Sequence, residues 1–210
     1  MKARNYLPWS GVAFVAVVAA SVVGIGGSTP DPDASAAKVM SFYSAHDGRQ
    51  IVAAFVLALA APFLVTFAAT LASSLWSKDT RPMWELVLLA GSVLAGTAVL
   101  VTATVHFAVA DGADKLSASG LQVLNVIDGD TWLAFNAGLG VMMLGAAGSL
   151  LSHAGGRWLG RTALLLGVLL FVPFADFFAL LATGIWIVSA SIVLARRDER
   201  AGYAAAPATA

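Results

Sequence analysis

Apolar residues gather in six runs, about 9–27, 50–74, 85–110, 131–152, 158–174 and 177–195, separated by short polar gaps. A helix rises 1.5 Å per residue, so about 20 apolar residues cross a hydrocarbon layer of roughly 30 Å. Most of the runs reach that length. The stretch 162–195 would make one helix of about 51 Å, far too long even when tilted. Val172-Pro173-Phe174-Ala175-Asp176 interrupts it. Proline removes an amide donor and disfavours helix at the residue before it, so a hairpin of two short spans is expected there. A kinked or re-entrant pair is the rival arrangement.

The gaps carry an orienting signal. With six spans and an internal amino end, Lys2, Arg4, Lys78, Arg81, Arg157, Arg161, Arg196, Arg197 and Arg200 fall inside, against Lys38, Arg49 and Lys115 outside. Cytoplasmic segments near span ends keep Lys and Arg, so both chain ends are expected in the cytoplasm. Trp9, Trp76, Trp84, Trp132 and Trp158 fall at predicted span ends, where an amphipathic ring prefers the headgroup layer; Trp186 lies inside a span. Lys2 and Arg4 ahead of the first run could also mark a secretory signal. The run from Trp9 to Gly27 is longer than a usual signal core, which favours a retained anchoring helix.

Two outer segments have helical periodicity of their own. After Thr29-Pro30-Asp31-Pro32-Asp33, residues Val39, Phe42, Tyr43 and His46 share one face of a helix from Ser35. Leu116, Leu121, Val123, Leu124 and Ile127 suggest a second surface helix within 113–127. The expected fold is therefore all-α: a six-helix membrane bundle over residues 1–197 with two short outer helices. Residues 198–210 are expected to form a disordered cytoplasmic tail.

Composition agrees with a bilayer solvent. Of 210 residues, 59% are hydrophobic and 11% charged, well under the roughly 25% charged of soluble domains; mean hydropathy is +0.84. Formal net charge is zero and cysteine is absent. The first removes a broad electrostatic footprint for nucleic acid, and the second removes disulfide, thiolate-metal and cysteine-nucleophile chemistry. No HExxH, GxSxG, Walker loop or dinucleotide fingerprint occurs. Asp128-Gly129-Asp130 opens like a calcium loop but lacks its remaining ligands, and Asp130 is expected to cap the fourth span. The sequence implies no cofactor and leans away from an enzyme.

Small residues four apart could seat helices against each other: Ala54 and Ala58, Gly91 and Ala95, Ala134 and Gly138, Gly145 and Ser149. Polar groups inside a bilayer are costly and become functional candidates. His106 could carry a proton or ligate a metal or haem, or could simply bond Thr102 or a loop carbonyl. Asp176 could couple an ion or cap the sixth helix, and Asn136 could bridge helices. If His106, Thr102, Asn136, Asp176 and His46 converge, they form a polar vestibule on the outer side. Pro62 and Pro173 offer the broken helices that transporters use.

An outer Pro-Asp loop followed by Ser41-Phe42-Tyr43-Ser44-Ala45-His46-Asp47-Gly48-Arg49, running into an Ala- and Leu-rich span, resembles uncharacterised six-span membrane proteins of GC-rich bacteria. That resemblance implies a bacterial plasma membrane and assigns no activity or site. Three functions remain, in order. The first is a non-enzymatic bundle that binds a protein partner, lipid or a second copy. The second is a small-solute or proton-coupled transporter; a haem or metal enzyme ranks third.

Overall fold

The computed structural model describes residues 6–76, 82–152 and 156–204. All the described regular structure is helical. A 3-10 turn, Leu7–Trp9, leads into α1, Ser10–Ala19, which continues as a π-helical segment, Ala20–Gly26. Then come α2, Ala36–Ala58; α3, Ala60–Leu75; α4, Met83–Asp111; α5, Ala118–Asp130; α6, Trp132–Leu151; α7, Arg157–Leu169; and α8, Asp176–Ala204. Five stretches among the described residues are long and apolar enough to cross a membrane: Leu7–Gly26, Ala36–Leu75, Met83–Asp111, Ala118–Leu151 and Asp176–Arg197.

The remaining apolar run folds as the 13-residue α7, about 20 Å of helix. Its neighbours show how far it travels. Gly160 lies against Leu150 and Leu151, Gly167 against Leu144, and Phe171 against Gly140. Asp176 meets Asn136. Residues 156–176 thus run antiparallel beside 136–151, and α8 returns along them. The hairpin expected at Pro173 forms as a tight turn in which Val172 O accepts from Ala175 N at 3.2 Å and Asp176 N at 3.1 Å. Phe174 takes φ +69° there, the third position of a turn that usually demands glycine or asparagine.

Local chemistry explains the other breaks. Ser35 caps α2 by accepting from Lys38 N at 3.4 Å, and Ser117 caps α5 by accepting from Gly120 N at 3.2 Å. His46 leaves helical geometry (φ −134°, ψ 15°) and divides α2 into an outer piece and a long apolar piece. α2 stops at Ala58, four residues before Pro62, which has no amide to continue the ladder. α5 begins at Ala118 because α4 ends in a turn, with Lys115 N and Leu116 N both bonded to Gly112 O. Asp130 does not cap the fourth span: Thr131 keeps helical dihedrals and α5 passes almost directly into α6. α8 continues to Ala204, through residues 198–204 of the stretch where composition predicts a disordered tail; Ala, Arg and Glu are strong helix formers and extend the helix. Residues 205–210, like Lys2, Arg4, Lys78 and Arg81, lie outside the described residues.

Buried residues form two separate cores. The larger lies within the bundle and includes Phe67, Leu64, Leu88, Leu139, Met142, Met143, Trp186 and Ile187. The smaller sits at the end shared by the two outer segments, with Ala34, Val39, Tyr43, Val109, Ala110, Ala113 and Leu121. The first piece of α2, the C-terminal end of α4, α5 and the 27–35 loop therefore build a folded cap over one end of the bundle, the end that the charge pattern predicts to be the outer one.

Within the bundle, α4 and α6 approach at backbone distance. A Cβ on Gly91 would strike the backbone of Met142; one on Gly138 would strike Ala95, and one on Gly145 would strike Leu88. Of the small-residue pairs, Gly91, Ala95, Gly138 and Gly145 make this seam, whereas Ala134 is exposed. The five tryptophans expected at span ends are all largely exposed, while Trp186 is buried and its Nε1 donates to Leu159 O at 3.0 Å. That bond supplies the partner a buried indole needs.

Candidate functional site

Between the two cores lies a polar layer in which every link joins distant parts of the chain. The π-helical end of α1 leaves its last carbonyls unpaired by its own ladder. Arg49 Nε donates to Ile25 O, and Arg49 Nη2 donates to Gly26 O at 3.0 Å. Gln50 Nε2 donates to the same Gly26 O at 2.9 Å. A cation at a helix C-terminus also complements the helix dipole. Ser21 Oγ ties the π-segment to Ala53 O at 2.8 Å, so helical irregularity and cap attachment fall at one place.

Gln50 then hands the network to His106. His106 Nε2 is 2.9 Å from Gln50 Oε1, and Nδ1 is 2.7 Å from Asp128 Oδ2. The hydrogens follow from the partners. Gly26 O can only accept, which fixes Gln50's amide with Nε2 toward it and Oε1 toward the imidazole. Oε1 can only accept, so Nε2 of His106 carries a proton. The remaining Nδ1 faces a carboxylate oxygen, and that contact also needs a proton between its atoms. A hydrogen bond therefore joins His106 to the Asp128 carboxylate, with both side chains only 13% exposed. Such a charge-assisted bond is short and stronger than a neutral one.

Asn125, one turn before Asp128 on α5, anchors the other side of the cap. Its Oδ1 accepts from Tyr43 Oη at 3.4 Å, and its Nδ2 donates to Pro30 O at 3.4 Å and Asp31 O at 3.2 Å. Gln122 Nε2 donates to Ala34 O at 2.9 Å. Tyr43 is fully buried in the cap core. Burial, and secondarily the Asp128 carboxylate, raise its phenol well above the ordinary value; it stays a donor. Its ring stands edge-on to His106, with centroids 6.2 Å apart.

The predicted vestibule residues separate into different settings. His106 enters the layer just described. Thr102 Oγ1 donates to Ala98 O at 3.0 Å, within its own helix. His46 stacks on Phe42 and its Nδ1 lies 2.8 Å from Phe42 O. Asn136 and Asp176 do meet, through Asn136 Nδ2 and Asp176 Oδ2 at 3.3 Å. Gly138 faces Ala95 across the seam, which sets Asn136 near the height of Ala98, about 12 Å below His106 by helical rise. Gln50, Asp128, Asn125 and Tyr43 are the residues that sequence reasoning missed. Gln50 did carry a signal: it is an amide at the first position of an apolar run. Asp128 lay in the Asp-Gly-Asp step set aside for lacking calcium ligands.

Among the described residues, no three or more His, Asp or Glu side chains converge as a metal site would require. An apolar groove of about 240 Å³ lies between α2 and α4, lined by Ala54, Phe55, Ala58, Leu100, Ala103, Thr104 and Phe107. Comparison with models of known families, with curated proteins and with solved structures returns no match.

Proposed function

We propose that this chain is a non-enzymatic multi-pass protein of a bacterial plasma membrane, of the uncharacterised six-span kind its 41–49 segment resembles. Its role is to present the outer cap to a partner protein. The observation that carries this reading is the free face of α5. Val123, Val126 and Ile127 are 60%, 38% and 46% exposed while Leu121 and Asn125 hold the opposite face down. Leu116, just before the cap of the same helix, is also exposed.

Height favours protein over lipid in this reading. About 20 residues of helix cross the hydrocarbon. Counted outward from Trp84 on α4 they end at Thr104, and counted from Leu151 on α6 they end at Thr131. On this count, which supports the reading, Gln50, His106 and Asp128 fall at the outer headgroup level and the exposed stripe of α5 falls beyond it. An unpartnered apolar stripe in water marks an interaction surface.

Charge points the same way. The outer segments carry Asp31, Asp33, Asp47, Asp111, Asp114, Asp128 and Asp130 against Lys38, Arg49 and Lys115. An acidic surface is repelled by anionic lipid and suits a partner with basic residues around an apolar patch. The polar layer holds this platform at a fixed angle to the bundle.

A photo-activatable residue placed at Val126 in living cells tests the reading. One discrete protein adduct is expected, lost when Ile127 is replaced by Asp and absent when the probe sits at lipid-facing Leu94. Crosslinks only to lipid, or none from either site, would sink it.

A further inference from the structure

A second polar pair lies deeper, and it is incomplete in a way the first is not. Asp176 opens α8 and is 7% exposed. Its Oδ2 accepts from Asn136 Nδ2 at 3.3 Å. Asn136 is 1% exposed, and its Oδ1 has no hydrogen-bond partner. Turning the amide over does not help, since that would set its oxygen against the carboxylate. Two acceptors therefore sit together in a buried place, short of a positive partner.

Among the described residues no cationic side chain is bonded to either group; on α2, Arg49 is taken up by Ile25 O and Gly26 O. α1, α3 and α6 contain no ionisable residue. α7 carries Arg157 and Arg161 at its inner end, and α8 carries Arg196 and Arg197 about 30 Å away by helical rise. On α4, Glu85 is at the inner end, His106 is taken up by Gln50 and Asp128, and Asp111 pairs with Lys115. Buried charges are paired, metal-bound or neutralised. One positive charge between the Asp176 carboxylate and Asn136 Oδ1 answers both deficits at once.

We propose that Asn136 and Asp176 form a binding site for a single small cation, an alkali ion or a proton, at the outer end of the last hairpin. The ligands are hard oxygens, as such cations prefer. The turn is built to hold them: both amides bonded to Val172 O fix the approach of Asp176, and Phe174 accepts φ +69° to keep that turn closed. A backbone strained at a site is the usual companion of a fixed ligand geometry. This inference is independent of the partner proposed for the cap.

Thermal unfolding of the purified full chain in detergent tests it, with choline replacing sodium at constant ionic strength and with pH varied separately. An alkali-ion site raises the unfolding midpoint with sodium chloride at fixed pH. A proton site leaves sodium without effect and raises the midpoint on acidification. In either case Asp176→Asn loses that response, whereas any pH response it keeps belongs to other groups, His106 and Asp128 first. Should Asp176→Asn fail to fold, Asn136→Ala keeps the carboxylate and shifts the response to higher sodium or lower pH. A wild-type midpoint indifferent to both, or a response unchanged in these variants, overturns the proposal.

Discussion

The outer cap and the bundle are held together by opposite means. In the cap, Tyr43, Gln50, His106, Gln122, Asn125 and Asp128 reach across tens of residues to bond other elements. In the bundle, the tightest contact is made by side chains that are missing: Gly91, Gly138 and Gly145 let α4 and α6 touch at the backbone. The difference follows from the solvent. Helices in lipid gain little from burying more apolar surface, so close approach and dispersion hold them. The cap lies beyond the long apolar stretches and its apolar core is small, and so directed hydrogen bonds fix how it sits. Fit stabilises one region and stitching the other.

That contrast breaks most sharply at the glycine seam. Gly138→Leu cannot be accommodated, because its first added carbon already meets the Ala95 backbone. Overpacking costs at least about 1–3 kcal/mol, and here the obstacle cannot rotate away. Gly138→Leu is expected to remove the monodisperse species from size-exclusion chromatography in detergent. A normal profile would show that α4 and α6 are not in register as described.

His106→Ala comes next and should act on the cap alone. It leaves the Asp128 carboxylate and Gln50 Oε1 without their His106 partner in a site only slightly exposed, a loss of about 2–3 kcal/mol. Hydrogen exchange is expected to accelerate across α5 and the outer piece of α2 while α6 and α8 stay protected. Uniform acceleration would mean that the two regions are one cooperative unit. Asn125→Ala releases the 27–35 loop at a cost of about 1–2 kcal/mol, read as faster proteolysis near Pro30 with the α5 exchange pattern kept. Lys115→Ala should shift the unfolding midpoint hardly at all, within about 0.5 kcal/mol, because both partners are well exposed, at 65% and 42%, and Asp111 lies on the adjoining turn.

Much of this was legible in the sequence, for reasons particular residues show. Ser35 announces the outer helix because a hydroxyl before an amphipathic run has one favoured use. Pro173 announces the hairpin because it removes a donor. The tryptophans mark span ends through their amphipathic rings. His106 stood out as a polar group near the end of an apolar run, but its partners did not: Gln50 and Asp128 are 56 and 22 residues away in the chain. Small-residue pairs were similarly ambiguous. Ala134 and Gly138 look alike in sequence, yet the first faces outward and the second meets Ala95.

Chain composition and periodicity by themselves determined that this protein is helical and which apolar stretches form its helices, because apolar length, caps and prolines act within a few residues. Only the tertiary structure decided that the outer helices make a second core, that His106 is bridged between an amide and a carboxylate, and that Asn136 faces Asp176. Those outcomes depend on which helix faces cross at which height, a quantity set by contacts between residues that no local pattern relates.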